Sequence, residues 1–112
     1  MSKLFVYGIF LDEFNRNHYG MSNPVYDTVK GFVTKGSHIV QAVRSDDDDV
    51  ALTGLTVDMN DDNWLSLDAL EGGYDRIKVK TTKGHTVFMY ARKDKRNGRT
   101  YQTRTDLFRA YY

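Results

Sequence analysis

The stretch of residues 64–76 constrains the fold more than any other, because it sets one short helix between two strand patterns. Apolar side chains alternate with small or polar ones in residues 50–59 and again in residues 74–81, which is the period of a half-buried strand. Between these runs, residues 64–71 are apolar at helical spacing, and two glycines then end the helix. A strand, one short helix and a further strand predict an α+β domain built on an antiparallel sheet.

Glu71 is the residue of this stretch that points to chemistry. Trp64, Leu67 and Glu71 fall on one stripe of the predicted helix, because seven residues bring a helix almost back to its starting angle. Glu71 also lies in the last turn, where the carbonyl end of the helix dipole disfavours negative charge. A carboxylate in that position should have a raised pKa, which is how a general base that works near neutral pH is made. The alternatives are that Glu71 turns into solvent or pairs with Arg76.

The rest of the chain adds short strands and turns. Asp12 is placed to cap a short helix or turn that continues to about Gly20. Residues 22–24, Ser-Asn-Pro, predict a break, and Gly31 predicts a bulge or a close backbone approach within a strand. Residues 105–112 form either a closing helix or a further strand. The predicted strands are Leu4–Tyr7, Tyr26–Thr34, His38–Val43, Val50–Met59, Tyr74–Thr81 and Thr86–Ala91.

Length and composition bound the fold. The 112 residues suffice for one domain with a single core, residues 1–112, and not for two. The pattern predicts a small α+β domain with a twisted antiparallel or mixed β-barrel of about five to six strands and one or two flanking short helices. The chain has no cysteine, which excludes disulfides, thiolate metal sites and cysteine nucleophiles.

The histidines and the aspartate run do not make a metal motif. The three histidines share no ligand spacing. The run Asp46–Asp49 lacks the alternating ligands and the glycine of a calcium loop, so a solvated turn is expected there. We therefore expect no metal site in these residues. The apolar run at the start is too short for a signal peptide and no segment could span a membrane, so we expect a cytoplasmic protein.

The formal net charge of +1 is unevenly distributed. Residues 92–112 carry seven basic and two acidic side chains, a net charge of +5, and the rest of the chain carries −4. This basic segment also contains aromatic side chains, so contact with nucleic acid or an acidic partner is one hypothesis. A solvated basic surface is the alternative that we favour. The aromatic residues are Tyr101, Phe108, Tyr111 and Tyr112.

Two motifs, in order along the chain, resemble one family. Residues 4–10, LFVYGIF, resemble the opening strand and substrate loop of the gamma-glutamyl cyclotransferase-like family. Residues 67–72, LDALEG, followed by Tyr-Asp-Arg at 74–76, resemble its second motif. Residues 52–57 and 87–90 resemble the strands before and after that motif. Order and spacing fit over residues 3–92, and the short length resembles the compact gamma-glutamylamine cyclotransferase branch.

The resemblance implies a fold and a reaction. Members of this family form a small β-barrel with flanking helices. They cleave a γ-glutamyl amide by attack of the substrate's own α-amino group on its side-chain carbonyl, which releases 5-oxoproline and a free amine or amino acid. Glu71 would be the general base and acid, and no metal or cofactor is needed. Backbone N–H groups of Gly8, Ile9 and Phe10 would hold the substrate carboxylate, and Tyr7 and Tyr90 would line the cavity.

The chain departs from the family at Ile9, where a hydroxyl residue is usual, and at Phe10, where Leu or Asn is usual. If the loop contributes only backbone donors, activity survives this change. If the hydroxyl is required, the protein is a non-catalytic small-molecule binder on the same barrel. Asp68 either pairs with Glu71, faces outward or binds a nearby basic group. The leaving amine and the oligomeric state are not indicated by the sequence.

Overall fold

The computed structural model describes residues 2–37 and 39–102, and in these ranges the chain forms seven strands and two α-helices. The helices are α1 (Glu13–His18) and α2 (Trp64–Leu70), and 3₁₀ turns occupy Gly8–Leu11, Asp61–Asn63 and Lys95–Asn97. No helix in these ranges is long and apolar enough to cross a membrane. The strands are β1 (Ser2–Val6), β2 (Met21–Lys30), β3 (Phe32–Lys35), β4 (Gln41–Arg44), β5 (Ala51–Met59), β6 (Tyr74–Lys80) and β7 (Thr86–Arg92).

Strand β1 lies at the centre of a five-stranded sheet with the order β2-β5-β1-β7-β6. It pairs antiparallel with β5, where Leu4 lies opposite Val57, and parallel with β7, where Leu4 lies opposite Phe88. Strands β3 and β4 form a second, two-stranded sheet that packs against β5 and β7. The predicted α+β class is confirmed, although within the described residues the hydrogen bonds leave the twisted main sheet open at β2 and β6.

The continuous apolar run of β1 is explained by burial on both faces. Leu4 and Val6 belong to one apolar cluster, together with Trp64 and Leu67 of α2. Phe5 belongs to the other cluster, which draws on β3, β4, β6 and β7. Successive strand side chains point to opposite faces, so a strand covered on both sides needs apolar residues throughout. The end of β1 therefore lies between α2 and the β3–β4 pair.

The predicted strand Tyr26–Thr34 was wrong at Gly31. This glycine has φ +82° in a turn that ends β2 and begins β3, so the chain leaves one sheet for the other there. The predicted break at residues 22–24 was also wrong, because β2 runs through it with a register shift between Ser22 and Val25. Pro24 is tolerated because β2 is an edge strand.

Several other local predictions can be compared directly. The Asp12 side chain accepts a hydrogen bond from the Phe14 N–H at 2.8 Å and caps α1, as predicted. Strand β4 is Gln41–Arg44, later than the predicted His38–Val43, and His38 lies outside the described residues. The run Asp46–Asp49 is an exposed turn, as expected. The predicted closing element at 105–112 lies outside the described residues.

A buried carboxylate, Asp27, joins edge strand β2 to the turn between β6 and β7. It is 2% exposed and accepts hydrogen bonds from the Thr28 N–H at 2.8 Å and the Thr82 hydroxyl at 3.3 Å. Burial alone would raise the pKa of Asp27, but hydrogen bonds, of which that from Thr81 has the largest effect, hold it below its ordinary value of 3.8. Asp27 is therefore stabilised as an anion inside the fold.

Candidate active site

A cavity of about 310 Å³ lies at the end of β1, where the chain enters the turn Gly8–Leu11. Its walls come from β1, that turn, the segment before β4 and the end of α2. The start of β6 and the central part of β7 complete them. This volume lies at the small end of the range for ligand pockets in proteins. The lining residues are Leu4, Phe5, Val6, Tyr7, Ile9, Phe10, Ile39, Val40, Leu70, Glu71, Tyr74 and Tyr90.

Glu71 follows the last residue of α2 and lines this cavity. Its backbone is fixed on both sides: its N–H donates to the Leu67 carbonyl at 2.9 Å and its carbonyl accepts from the Tyr74 N–H at 3.0 Å. The side chain is half-buried, and this burial raises the pKa of Glu71 above its ordinary value of 4.5. Within the described residues, no group forms a hydrogen bond or ion pair with its carboxylate.

The direction of this pKa shift is the predicted one, and burial is its cause. Trp64 and Leu67 are buried in one apolar cluster with Leu4, Val6 and Tyr90, and Glu71 lines the cavity that these last three residues also line. This arrangement matches the stripe that the helical spacing predicts. An ionised carboxylate without a counter-charge is costly in an apolar wall, so the protonated, neutral form is stabilised relative to the ionised one. Glu71 is thus a carboxylate that can take up and release a proton where a ligand would lie.

Arg76 does not pair with Glu71, so that alternative was wrong. Its guanidinium lies over the Trp64 ring, 4.4 Å from the ring centroid, and its Nη1 is 3.4 Å from Asp68 Oδ2. Its Nε donates to the Tyr101 carbonyl at 2.6 Å. The guanidinium is held by Asp68, the Trp64 ring and the Tyr101 carbonyl, so it does not supply Glu71 with a counter-charge.

Asp68 does not pair with Glu71 or face outward; it binds the nearby basic group Arg76. It is 5% exposed, and the Tyr90 hydroxyl donates a hydrogen bond to its Oδ1. The aromatic ring of Tyr90 lines the cavity while its hydroxyl points to Asp68. Burial, reinforced by the anion of Asp68, raises the pKa of Tyr90, so its phenol stays protonated at neutral pH.

Tyr7 also presents its ring to the cavity with its hydroxyl engaged elsewhere. The hydroxyl donates to the Tyr90 carbonyl and accepts from the Ala42 N–H at 3.0 Å, so one phenol joins β7 to β4. Burial raises the pKa of Tyr7, and the nearby charge of Glu71 adds to the shift. Tyr7 and Tyr90 are therefore walls of the cavity, and Glu71 is the charged residue among its described lining groups.

The predicted substrate loop forms the 3₁₀ turn Gly8–Leu11 at the cavity edge. Gly8 has φ +67°, a conformation that side chains with a Cβ rarely adopt, and it borders the cavity without lining it. Phe10 is buried and packs edge-on against Tyr19, with ring centroids 5.5 Å apart. Ile9 is 57% exposed at the mouth. The first N–H groups of such a turn have no partner within it.

Some lining residues were not predicted from the sequence. Tyr74 follows the two glycines after α2 and could have been found from the motif in which it stands. Ile39 and Val40 come from the segment before β4. The sequence predicts a strand there but not its contact with the cavity, which arises through the β3–β4 pair. Among the described residues, no three His, Asp or Glu side chains come together as a metal site.

The family is established by sequence comparison. Residues 4–108 match the model of the family described as gamma-glutamyl cyclotransferase, AIG2-like. The matched residues form a small mixed-sheet domain with a glutamate-containing cavity at the end of the first strand. The chain belongs to the gamma-glutamyl cyclotransferase, AIG2-like family. Among curated protein sequences, none matches it.

Solved structures share the fold. An uncharacterised protein, PH0828 from Pyrococcus horikoshii, is 17% identical with a TM-score of 0.69, and the match covers 99% of this chain and 95% of that one. The Arabidopsis thaliana protein At5g39720.1 is 22% identical with a TM-score of 0.68, covering 98% and 82%. A second Arabidopsis thaliana protein, At3g28950.1, is 20% identical with a TM-score of 0.65, covering 98% and 73%. At these identities the likeness supports the fold alone.

Proposed function

We propose that this protein is a gamma-glutamylamine or gamma-glutamyl-amino-acid cyclotransferase in which Glu71 is the general base and acid. The observation that carries the proposal is the half-buried carboxylate of Glu71, which lines the cavity without a counter-charge among the described residues. Family membership supplies the reaction class. The substrate is a γ-glutamyl amide, and the products are 5-oxoproline and a free amine or amino acid.

The reaction needs a base because the α-amino group of the substrate is an ammonium in water. Glu71 accepts one of its protons, and the nitrogen then attacks the γ-carbonyl carbon while the bond to the departing nitrogen breaks. The ring nitrogen keeps one of the three ammonium protons. The other two end on the released amine, one of them returned by Glu71, so no water and no electrons are consumed.

Positioning contributes much of the rate, because attack within one substrate molecule forms a ring. Well-oriented intramolecular reactions reach effective molarities of about 10⁵–10⁸ M. The rings of Tyr7, Phe10 and Tyr90 would hold the substrate folded. Backbone N–H groups of Gly8 and Ile9, at the start of the 3₁₀ turn, would hold its carboxylate, with no hydroxyl required.

Ile9 favours a second candidate function, a non-catalytic small-molecule binder on the same fold. Its side chain lies at the cavity mouth and cannot donate a hydrogen bond, unlike the hydroxyl residue usual at this position. Such a protein would bind a γ-glutamyl compound and return it unchanged. The two candidates therefore differ in one observable, turnover.

Binding of nucleic acid or an acidic partner through residues 92–112 stays a prediction. In the described part of this segment, Arg96 forms ion pairs with Asp94 at 2.8 Å and with Asp46 at 2.7 Å. These pairs neutralise one of the basic side chains of the segment. Arg99 lies over the Tyr101 ring, 4.9 Å from its centroid. Residues 103–112 lie outside the described residues. Unchanged nucleic-acid retention and salt dependence after removal of residues 93–112 would contradict this function, whereas a loss of retention would favour it.

The proposed function is tested by incubating the protein with a panel of γ-glutamyl amines and γ-glutamyl dipeptides and measuring 5-oxoproline. We expect release from at least one compound, loss of release in Glu71→Gln, and retention in Glu13→Gln. Glu13 is a matched control because it is the chain's other glutamate and is exposed in α1. Tight binding with complete recovery of every compound would instead establish the binder.

A further inference from the structure

The mouth of the cavity is formed by aliphatic side chains that are exposed to solvent. Ile9 is 57% exposed, Ile39 is 70% exposed and Leu70 is 49% exposed, yet all three line the same cavity. They come from three separate segments: the turn after β1, the segment before β4 and the end of α2. Single exposed apolar residues are ordinary, whereas several around one opening mark a surface that binds something apolar.

The described residues that line the cavity include no cation. Among the described lining residues, Glu71 carries the one charge, and it is negative. Arg76, two residues after the lining residue Tyr74, is committed to Asp68 and to the Trp64 ring. The hydroxyls of Tyr7 and Tyr90 are engaged with protein groups as well. A carboxylate on the far part of a ligand would find no counter-charge here and would lie in the same cavity as an anion.

The proposed reaction sets how the substrate lies. Its α-amino group must reach the half-buried Glu71 carboxylate with the γ-carbonyl close by, so the glutamyl part lies inside the cavity, against the deep walls. The deep walls are the buried residues Leu4, Val6 and Tyr90. The substituent on the departing nitrogen is the part of the substrate that varies in length. It must leave past the exposed aliphatic rim of Ile9, Ile39 and Leu70.

We propose that this aliphatic rim is the leaving-group subsite, and that the substrates are γ-glutamyl amides of uncharged, apolar amines. The inference rests on the proposed function and narrows it. An alkyl or aryl substituent gains contact with the rim, and each methylene that it buries raises kcat/KM roughly fourfold. An α-carboxylate or a terminal ammonium on the same substituent must instead lose water against aliphatic side chains.

The test compares γ-glutamyl ethylamide, butylamide and hexylamide with counterparts of matched length that end in a carboxylate or an ammonium. The full 112-residue chain is used, and 5-oxoproline is measured. We expect kcat/KM to rise with alkyl length and to fall at least tenfold when the terminus is charged. Equal or faster release from the charged counterparts overturns the inference while leaving the proposed function in place.

Substitutions at the rim give the same test a second readout. Ile39→Ser should flatten the dependence on alkyl length, and Ile39→Arg should raise kcat/KM for the carboxylate-ended counterpart relative to the butylamide by about tenfold. Val25→Ser is the matched control, because Val25 is an exposed aliphatic residue on β2 that does not line the cavity. A rim that is not the subsite would give Ile39→Ser and Val25→Ser the same profile.

Binding to the Glu71→Gln variant separates the subsite from the chemistry. Calorimetry with this variant should show tighter binding of the butylamide than of its carboxylate-ended counterpart, whether or not the wild-type protein turns either over. If the wild type releases no 5-oxoproline from any compound, the proposed function fails. If in addition the variant binds both compounds equally, the apolar subsite fails as well.

Discussion

Asp27 and Glu71 are two carboxylates that the same fold treats in opposite ways. Asp27 is 2% exposed and accepts hydrogen bonds from threonine hydroxyls and backbone N–H groups. These hydrogen bonds outweigh the effect of burial, which alone would raise the pKa, and hold the pKa of Asp27 below 3.8. Glu71 is less buried but has no such donors in the described part of the chain, and burial raises its pKa above 4.5. Hydrogen-bond donors decide the outcome more than depth does.

This difference separates a structural role from a chemical one. A carboxylate that is fully satisfied stays ionised and fixes the strands around it, whereas one in an apolar wall can exchange a proton at modest cost. Asp68 sharpens the contrast, because it lies three residues before Glu71 and is bound by Tyr90 and Arg76. By taking up Arg76, Asp68 leaves Glu71 without a counter-charge among the described residues.

The largest effect is expected from Glu71→Gln. Under the proposed function, removal of the Glu71 carboxylate should lower 5-oxoproline release by about 10²–10⁴-fold, the usual contribution of general acid–base catalysis. The free energy of unfolding at pH 7 should be unchanged or slightly higher, because the variant no longer holds an anion in an apolar wall. Steady-state kinetics and urea denaturation measure the two quantities. Full activity in this variant would contradict the assigned role of Glu71.

Asp27→Asn should show the reverse pattern. An amide cannot accept every hydrogen bond that the carboxylate accepts, so the free energy of unfolding should fall by about 1–3 kcal/mol while activity per folded molecule is retained. Urea denaturation and kinetics below the unfolding transition test this. Asp48→Asn, at an exposed turn position, is the matched control and should change stability by less than about 0.5 kcal/mol. Loss of activity in folded Asp27→Asn would break the contrast.

The pH dependences of rate and stability should differ. Because the folded pKa of Asp27 is lowered, its contribution to stability is present above its ordinary value of 3.8 and is lost as pH falls through the lower, folded value. Because the pKa of Glu71 is raised, kcat/KM should decline on the acidic side at a pH above 4.5, while the protein is still folded. Denaturation and kinetics across pH 3–7 check this order. Coincident losses of rate and stability would argue against it.

The smallest effect is expected from Ile9→Thr. If the turn contributes only backbone donors, restoring the usual hydroxyl should change kcat/KM for an alkylamide by no more than a few-fold, downward, because about one methylene of apolar contact is lost. Initial rates at low substrate concentration measure this. A hundredfold gain would mean instead that the hydroxyl is a missing part of the site and that the wild-type protein is a binder.

The sequence predicted the features that are local and periodic. The alternation in Val50–Met59 yields β5 nearly residue for residue, and the helical stripe followed by two glycines yields α2 with Glu71 at its end. Gly31 was predicted to be a bulge or a close backbone approach within one strand, but it lies in a turn between two strands. A glycine within a β-rich run looks the same in sequence whether the chain kinks within a sheet or turns into another one.

The contacts that complete the site are long-range, and the sequence could not supply them. Ile39 and Val40 reach the cavity only because β4 packs beside β7. The sequence could not show whether Arg76 would pair with Asp68 or with Glu71, because these two carboxylates are three residues apart and no local pattern distinguishes them. The Asp27 network likewise joins residues separated by more than fifty positions, such as Thr82.

Direct titration of Glu71 tests the central claim, that burial in this cavity prepares the carboxylate to exchange a proton. The chain contains two glutamates, Glu13 and Glu71, so labelling with carboxyl-¹³C glutamate gives two side-chain signals, and Glu71→Gln assigns them by removing one. We predict that the Glu71 carboxyl titrates with a pKa above 4.5 in the folded protein. A pKa at or below 4.5 would contradict the account.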